Sequence, residues 1–241
     1  MHQVKSILSS IASRICFHNP KLYISYLRKK GVTIGEGTWF AGRISIDTTR
    51  PCLVEIGRNC VLTDGVVLLT HGFEGIVLRE KYGELISSSG KVSIEDNVFI
   101  GVNSIILKGV KIGKNTVIGA GSVVTHDIPE NSVAAGMPCK VIMTLDQYYM
   151  KRKNEYLQEA KEYALELYKK NKRVPRMEDF WEEFPLFLDR QANWGKLPVR
   201  KQLGSAFGNF AQSQPIYASF DDFLIDAGVP KEQVEESRRR N

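Results

Sequence analysis

Few residues in this chain suit metal or redox chemistry. It has only four histidines and four cysteines in 241 residues. Cys16, Cys52, Cys60 and Cys139 lie far apart and form no CxxC pair, which argues against a zinc site and for reduced thiols in the cytoplasm. No run of about 18 apolar residues occurs, so no integral membrane segment is expected. The start, MHQVKSILSSIASRICFHNP, is interrupted by serines and Arg14; it reads as a packing helix rather than a signal peptide. No aromatic-basic nucleic-acid motif is present. The formal charge of +6 is spread among acids, as in KRKNEYLQEAKEYALELYKKNKR, so nucleic acid is not the expected partner. The excess of positive charge suits either a solvated surface or an anionic small ligand.

What the chain does have is a period of six. From Ile94 the sequence reads IEDNVF, IGVNSI, ILKGVK, IGKNTV, IGAGSV, VTHDIP, with Ile or Val first every time. Six fits neither the helical period of 3.6 nor the strand period of 2.0. It fits a solenoid with three short flat faces per coil, one inward aliphatic residue per face and Gly or Asn at the corners. The same signature opens at Val32 (VTIGEG) and returns at Ile56 (IGRNCV, LTDGVV, LLTHGF). Between them Arg50-Pro51 marks a bulge or loop. At His71 the register breaks, and residues 72–91 contain no hexapeptide. An excursion of that length out of a repeat reads as a lid or binding loop.

The flanks read as helical. Residues 1–31 form an N-terminal arm in two pieces divided by Pro20, with Leu22, Tyr23, Tyr26 and Leu27 on one face and Gly31 as the stop. Residues 32–143 form the solenoid, with the excursion at 72–91. Residues 144–241 form an extension. In it Asp146–Arg173 is a long helix with a stripe of Tyr149, Tyr156, Ala160, Tyr163 and Leu167, stopped by Pro175. Glu178–Arg190 is a shorter helical segment interrupted by Pro185. Residues 191–218 are expected to be mostly irregular. Ser219 caps a last helix that Gly228 ends, and SRRRN is a frayed tail. Aromatics such as Phe180, Phe184, Phe187 and Phe210 must bury against the last coils, the helix stripe or a neighbouring subunit. The reading that follows is an extension packed on the solenoid at the acceptor side.

The run IGVNSIILKGVKIGKNTVIGAGSVVTHDIPENSVAAGMPCKVI resembles the hexapeptide-repeat acyltransferases, among them the galactoside and maltose acetyltransferases and the sugar O-acetyltransferases of surface-polysaccharide synthesis. The resemblance spans about residues 32–143. It implies a mainly β fold, a left-handed parallel β-helix with short N-terminal helices and a C-terminal helical extension. It also implies a homotrimer, with acetyl-CoA as co-substrate between adjacent β-helices. The implied reaction is direct transfer of acetyl to a hydroxyl of a sugar or polysaccharide, without a covalent enzyme intermediate and without metal.

Such chemistry needs a base, a donor for the developing oxyanion and a grip on phosphate. Histidine suits the first role, because an ordinary imidazole titrates near neutral pH. By its place at the end of a hexapeptide run, His71 matches the family's catalytic histidine. Glu74 and Asp64 are the candidates to orient its ring or to contact the acceptor. The family pattern puts the oxyanion donor on the main-chain N–H of Val102, and coenzyme contacts on Val102, Ala120, Thr125, His126 and Lys140. His126 stands where relatives often have lysine. The alternative is transfer to an amine of an amino sugar or drug; a β-helix without acyl transfer, as a zinc hydratase or a scaffold, is a third reading. A zinc site would need three converging histidines, and the repeat region holds only His71 and His126.

Overall fold

The computed structural model describes residues 19–191, 194 and 197–239. The first expected helical piece, with His2, Cys16 and His18, lies outside the described residues. The chain divides into two compact units, Met1–Tyr149 and Met150–Asn241.

The first unit is a three-sided coil of parallel strands. Face A stacks Thr33–Ile34, Val54–Ile56, Val92–Ile94 and Lys111–Ile112. Face B stacks Trp39–Ala41, Val61–Thr63, Val98–Ile100, Thr116–Ile118 and Ser132–Ala135, closed by antiparallel Lys140–Thr144. Face C stacks Ser45–Ile46, Val67–Leu68, Ile105–Ile106 and Val123–Val124. The chain visits A, B and C in turn. The registers align the first hexapeptide position into three inner columns: Ile34, Ile56, Ile94, Ile112 and Ile128; Phe40, Leu62, Ile100, Ile118 and Ala134; Ile46, Leu68, Ile106 and Val124. All of these side chains are buried. Burying an aliphatic side chain of this size contributes about 1.5–3 kcal/mol over leaving it exposed.

Corners need a residue that tolerates positive φ. On the edge between A and B the fourth position is Gly37, Asn59, Asn97, Asn115 and Asn131, all with φ between 54° and 74°. Their amides form a ladder: Asn97 Nδ2 donates to Asn115 Oδ1 at 2.8 Å, and Asn115 Nδ2 to Asn131 Oδ1 at 3.0 Å. Glycine at the second position answers a different need. A Cβ on Gly101 would lie 2.4 Å from the Ala120 nitrogen in the next coil.

Helix α1, Pro20–Lys30, packs against the first coils. Asn19 caps it by accepting from Lys21 N and Leu22 N, and Gly31 ends it at φ 107°. It buries Tyr23, Ile24 and Leu27, while Leu22 points to solvent. The expected Leu22 face is therefore corrected by one position, toward the Tyr23 ring that meets Phe40 at 6.1 Å.

The excursion is more ordered than a bare loop. It leaves at His71–Gly72 and returns at Ser88–Ser89, and these two strands pair antiparallel. Between them lies α2, Gly75–Tyr82. Gly90 N then donates to Thr70 O at 2.9 Å, so the coil resumes where it stopped.

The long helix is α3, Leu145–Asn171, which starts at the end of the first unit and runs through the start of the second. It ends before Pro175, with Lys172 at φ 55°. Its buried face centres on Ala160 and Ala164, flanked by Tyr156, Leu157, Leu167 and Tyr168; Tyr149 is exposed. The expected helix over 178–190 is instead two 3-10 turns, Met177–Asp179 and Phe184–Leu186; Pro185 has no N–H to continue a ladder. The expected irregular stretch contains α4, Val199–Leu203, and α5, Phe207–Gln212. Helix α6, Phe220–Asp226, has its Ser219 cap and is followed by Gly228 at φ 96°. It is not the last helix. α7, Lys231–Arg239, takes in Ser237–Arg239 of the supposed tail, buries Val234, and pairs Arg238 with Asp221. The aromatics find partners within this unit. Phe180, Phe187 and Phe223 form one buried cluster, and Phe184 meets Phe210 at 5.7 Å. Among the described residues no helix is long and apolar enough to cross a membrane.

Candidate active site

His71 sits on the edge between faces C and A, at the base of the excursion, with its side chain only 15% exposed. Its Nδ1 is hydrogen-bonded to Asp47 Oδ2, and Thr49 Oγ1 lies 3.3 Å from the same nitrogen. Asp47 comes from the corner one coil earlier, just after Ile46. Its carboxylate is densely bonded. Oδ2 also accepts from Thr70 Oγ1 and Thr70 N, and Oδ1 from Thr49 N at 3.0 Å and Thr49 Oγ1 at 2.7 Å. Burial alone would push this carboxyl up. The bonds from Thr70, Thr49 and His71 outweigh it and hold Asp47 far below the usual carboxylate range. An ionised acceptor on Nδ1 fixes the proton there and leaves Nε2 with its lone pair. Nε2 bonds to no other described residue.

The two acids singled out as orienters are elsewhere. Asp64 lies on the edge between B and C, where it accepts from Arg43 N at 2.6 Å. Glu74 is beside the histidine in the excursion but turns to Lys108 Nζ at 2.9 Å, and bonds to Lys108 and Ser88 draw its carboxyl down to about 2. The acid on His71 is Asp47, which the hexapeptide reading passed over. No sequence signal marks it: Ile46 pairs with Leu68, 22 residues on rather than at the regular spacing, which brings Asp47 and Thr49 beneath Thr70 and His71.

Val102 and Ala120 occupy third positions on the B–C edge, one coil apart, with Gly121 N donating to Val102 O at 2.7 Å. Their own amides donate to no other described residue. Two of the equivalent amides on the A–B edge are taken: Arg58 N by Asp96 Oδ1 at 2.7 Å and Lys114 N by Glu95 Oε2 at 3.0 Å. At Val102 and Ala120 the B–C edge offers two main-chain donors with no acceptor among the described residues. Lys140 joins them there, because it pairs with Ala135, the neighbour of Gly119. Thr125 and His126 lie instead on the C–A edge, in the coils beyond His71, with Thr125 Oγ1 2.8 Å from His126 Nδ1.

The structure therefore sorts the candidates into two groups. His71, Glu74, Thr125 and His126 share the C–A edge. Val102, Ala120, Lys140 and Asp64 share the B–C edge. A face of six residues separates them, at most about 20 Å when extended.

The family described as "Hexapeptide repeat of succinyl-transferase" matches residues 91–126. The galactoside O-acetyltransferase of Escherichia coli (strain K12) is 39% identical over 136 residues, covering 55% of this chain and 64% of that protein. Protein CapG of Staphylococcus aureus is 40% identical over 159 residues, covering 61% of this chain and 89% of CapG. A maltose O-acetyltransferase from Clostridium difficile 630, of solved structure, is 28% identical with a TM-score of 0.45, over 56% of this chain and 83% of that one. The family match falls on the most regular coils, and the chain belongs to the hexapeptide-repeat acetyltransferases.

Proposed function

We propose that this protein moves acetyl from acetyl-CoA to a hydroxyl of a sugar or surface polysaccharide, with His71 as general base. The observation that carries the reading is the Asp47–His71 pair, which leaves Nε2 as a hydrogen-bond acceptor at an edge of the coil. In this mechanism Nε2 takes the acceptor's hydroxyl proton as the oxygen attacks the thioester carbonyl carbon. The Val102 N–H donates to the carbonyl oxygen, where negative charge collects. His71 then returns its proton to the departing sulfur as the C–S bond breaks. Asp47 stays ionised throughout and stabilises the imidazolium.

Base and oxyanion donor lie on different edges of one chain, which favours a site shared between chains. In a homotrimer of left-handed coils, the C–A edge of one subunit faces the B–C edge of the next. Ala120, Lys140, Thr125 and His126 then hold the coenzyme, the main-chain amide and the cation gripping polar and phosphate oxygens. Cys52, Cys60 and Cys139 are free thiols, consistent with action in the cytoplasm. The likeness to a galactoside O-acetyltransferase favours O-transfer over N-transfer.

The test is thiol release from acetyl-CoA with a panel of sugars and amino sugars, beside light scattering of dilute protein. Sugar-dependent release by a particle of three chains is expected. A stable monomer would refute the shared site, and release dependent only on amines would move the reaction to N-transfer.

A narrower check addresses the oxyanion donor. Val102→Pro removes an N–H that no described group uses, at the residue before positive-φ Asn103, a turn position that often takes proline. Loss of one such donor should lower kcat by about 10²–10³. Melting temperature should change little. Unchanged kcat would take Val102 out of the mechanism.

A further inference from the structure

We propose that Phe73 is the platform on which the acceptor's ring packs, and that Lys108 is a positioning residue that clasps the excursion so that Phe73 stays beside His71. The proposal rests on the acetyl-transfer reading above. Phe73 is 75% exposed, yet its ring stands edge-on to the imidazole with centroids 4.9 Å apart. An aromatic face left open next to a base suits a substrate with an apolar C–H face and hydroxyls at its rim. A pyranose ring has that shape, and its weakly positive C–H bonds match the negative face of the arene.

The segment carrying Phe73 is held from both sides. Glu74, the next residue, accepts from Lys108 Nζ at 2.9 Å. The same ammonium donates to Ser88 Oγ on the returning strand, so one cation ties the two limbs together. From the coil below, Arg50 Nη1 donates to Ser88 O at 3.2 Å. Within the excursion the limbs touch: a Cβ on Gly75 would lie 2.4 Å from Ile86 O. Glu74 is ionised at any working pH, since bonds to Lys108 and Ser88 draw its carboxyl down to about 2. The pair is half exposed, and such pairs contribute little to global stability. Its effect is therefore on where the limbs sit, and the excursion acts as a standing wall rather than a moving lid.

The test uses the full chain with acetyl-CoA and whichever of nitrophenyl galactoside, maltose or N-acetylglucosamine the wild type acetylates fastest. Phe73→Ala should raise the acceptor KM roughly tenfold or more, the scale of losing an apolar contact in a substrate site. The acetyl-CoA KM should not move, and Phe73→Tyr should retain most of the acceptor affinity. Lys108→Met should raise the acceptor KM in the same sense, Lys108→Arg should restore it, and in the Phe73→Ala background Lys108→Met should add nothing further. Amide exchange over 73–87 should quicken in Lys108→Met and not in Phe73→Ala. An unchanged acceptor KM in Phe73→Ala, or effects of the two changes that multiply, would overturn the proposal while leaving the transferase reading intact. A wild type that acetylates none of the three sugars would overturn both.

Discussion

His71→Ala lowers kcat by about 10²–10⁴, the loss expected when a general base is removed. The fold should survive. His71 lies on an edge and belongs to none of the three inner columns, and Asp47 keeps its bonds to Thr70 and Thr49 after the ring is gone. The measurements are steady-state thiol release and a melting curve. A large fall in kcat with an unchanged melting temperature and acetyl-CoA KM is the expected pattern. Activity within a few-fold of wild type would remove His71 from the reaction and with it the role given to Nε2.

Asp47→Asn should cost nearly as much, about 10²–10⁴ in kcat, because the wrong tautomer follows from a neutral partner. An asparagine amide can turn its NH2 group toward Nδ1. The ring proton then moves to Nε2, and the atom that must accept a proton already carries one. Asp47 also links the site to stability. Its carboxyl titrates lower in the folded protein than in the unfolded chain, so its contribution is fully present above the ordinary carboxylate pKa of about 3.9 and fades as pH falls below it. The melting-temperature gap between wild type and Asp47→Asn should therefore be constant from pH 6 to 8 and narrow in acid. A gap that widened in acid would contradict the assigned ionisation. A kcat close to wild type would reduce Asp47 to a packing residue.

The parallel columns were legible because one position in six is aliphatic without exception from Ile94 to Val124, and each of those side chains is buried. The corners were legible for the same reason, since Gly and Asn most readily take the positive φ found at Asn97, Asn103, Gly109, Asn115 and Gly121. The Asp47–His71 contact was not, because the coil between them is irregular. Val98 pairs with Thr116 at the regular spacing of 18, but Ile46 pairs with Leu68 at 22, the surplus including the 3-10 turn Pro51–Leu53. Counting by the regular coil of 18 puts the register off by four residues and so misses the acid. The second unit was harder still. Its cluster joins Phe180 and Phe187 to Phe220 and Phe223 across some forty residues. Local periodicity sees the stripe on α3 and nothing of that contact. The short helices between follow from tertiary packing rather than from propensity.

The bond from Gly90 N to Thr70 O has a consequence for inheritance and for engineering. The chain departs from the coil and rejoins it at adjacent points, so the coil's closure is indifferent to how many residues lie between. Chain entropy adds only slowly with the length of such an insert. The segment behaves as a cassette. Exchanging residues 73–87 for a segment of another length and shape would leave the inner columns, the Asp47–His71 pair and the Val102 amide in place. On the proposed mechanism, selection could then rewrite which acceptor is admitted without rebuilding the groups that transfer the acetyl.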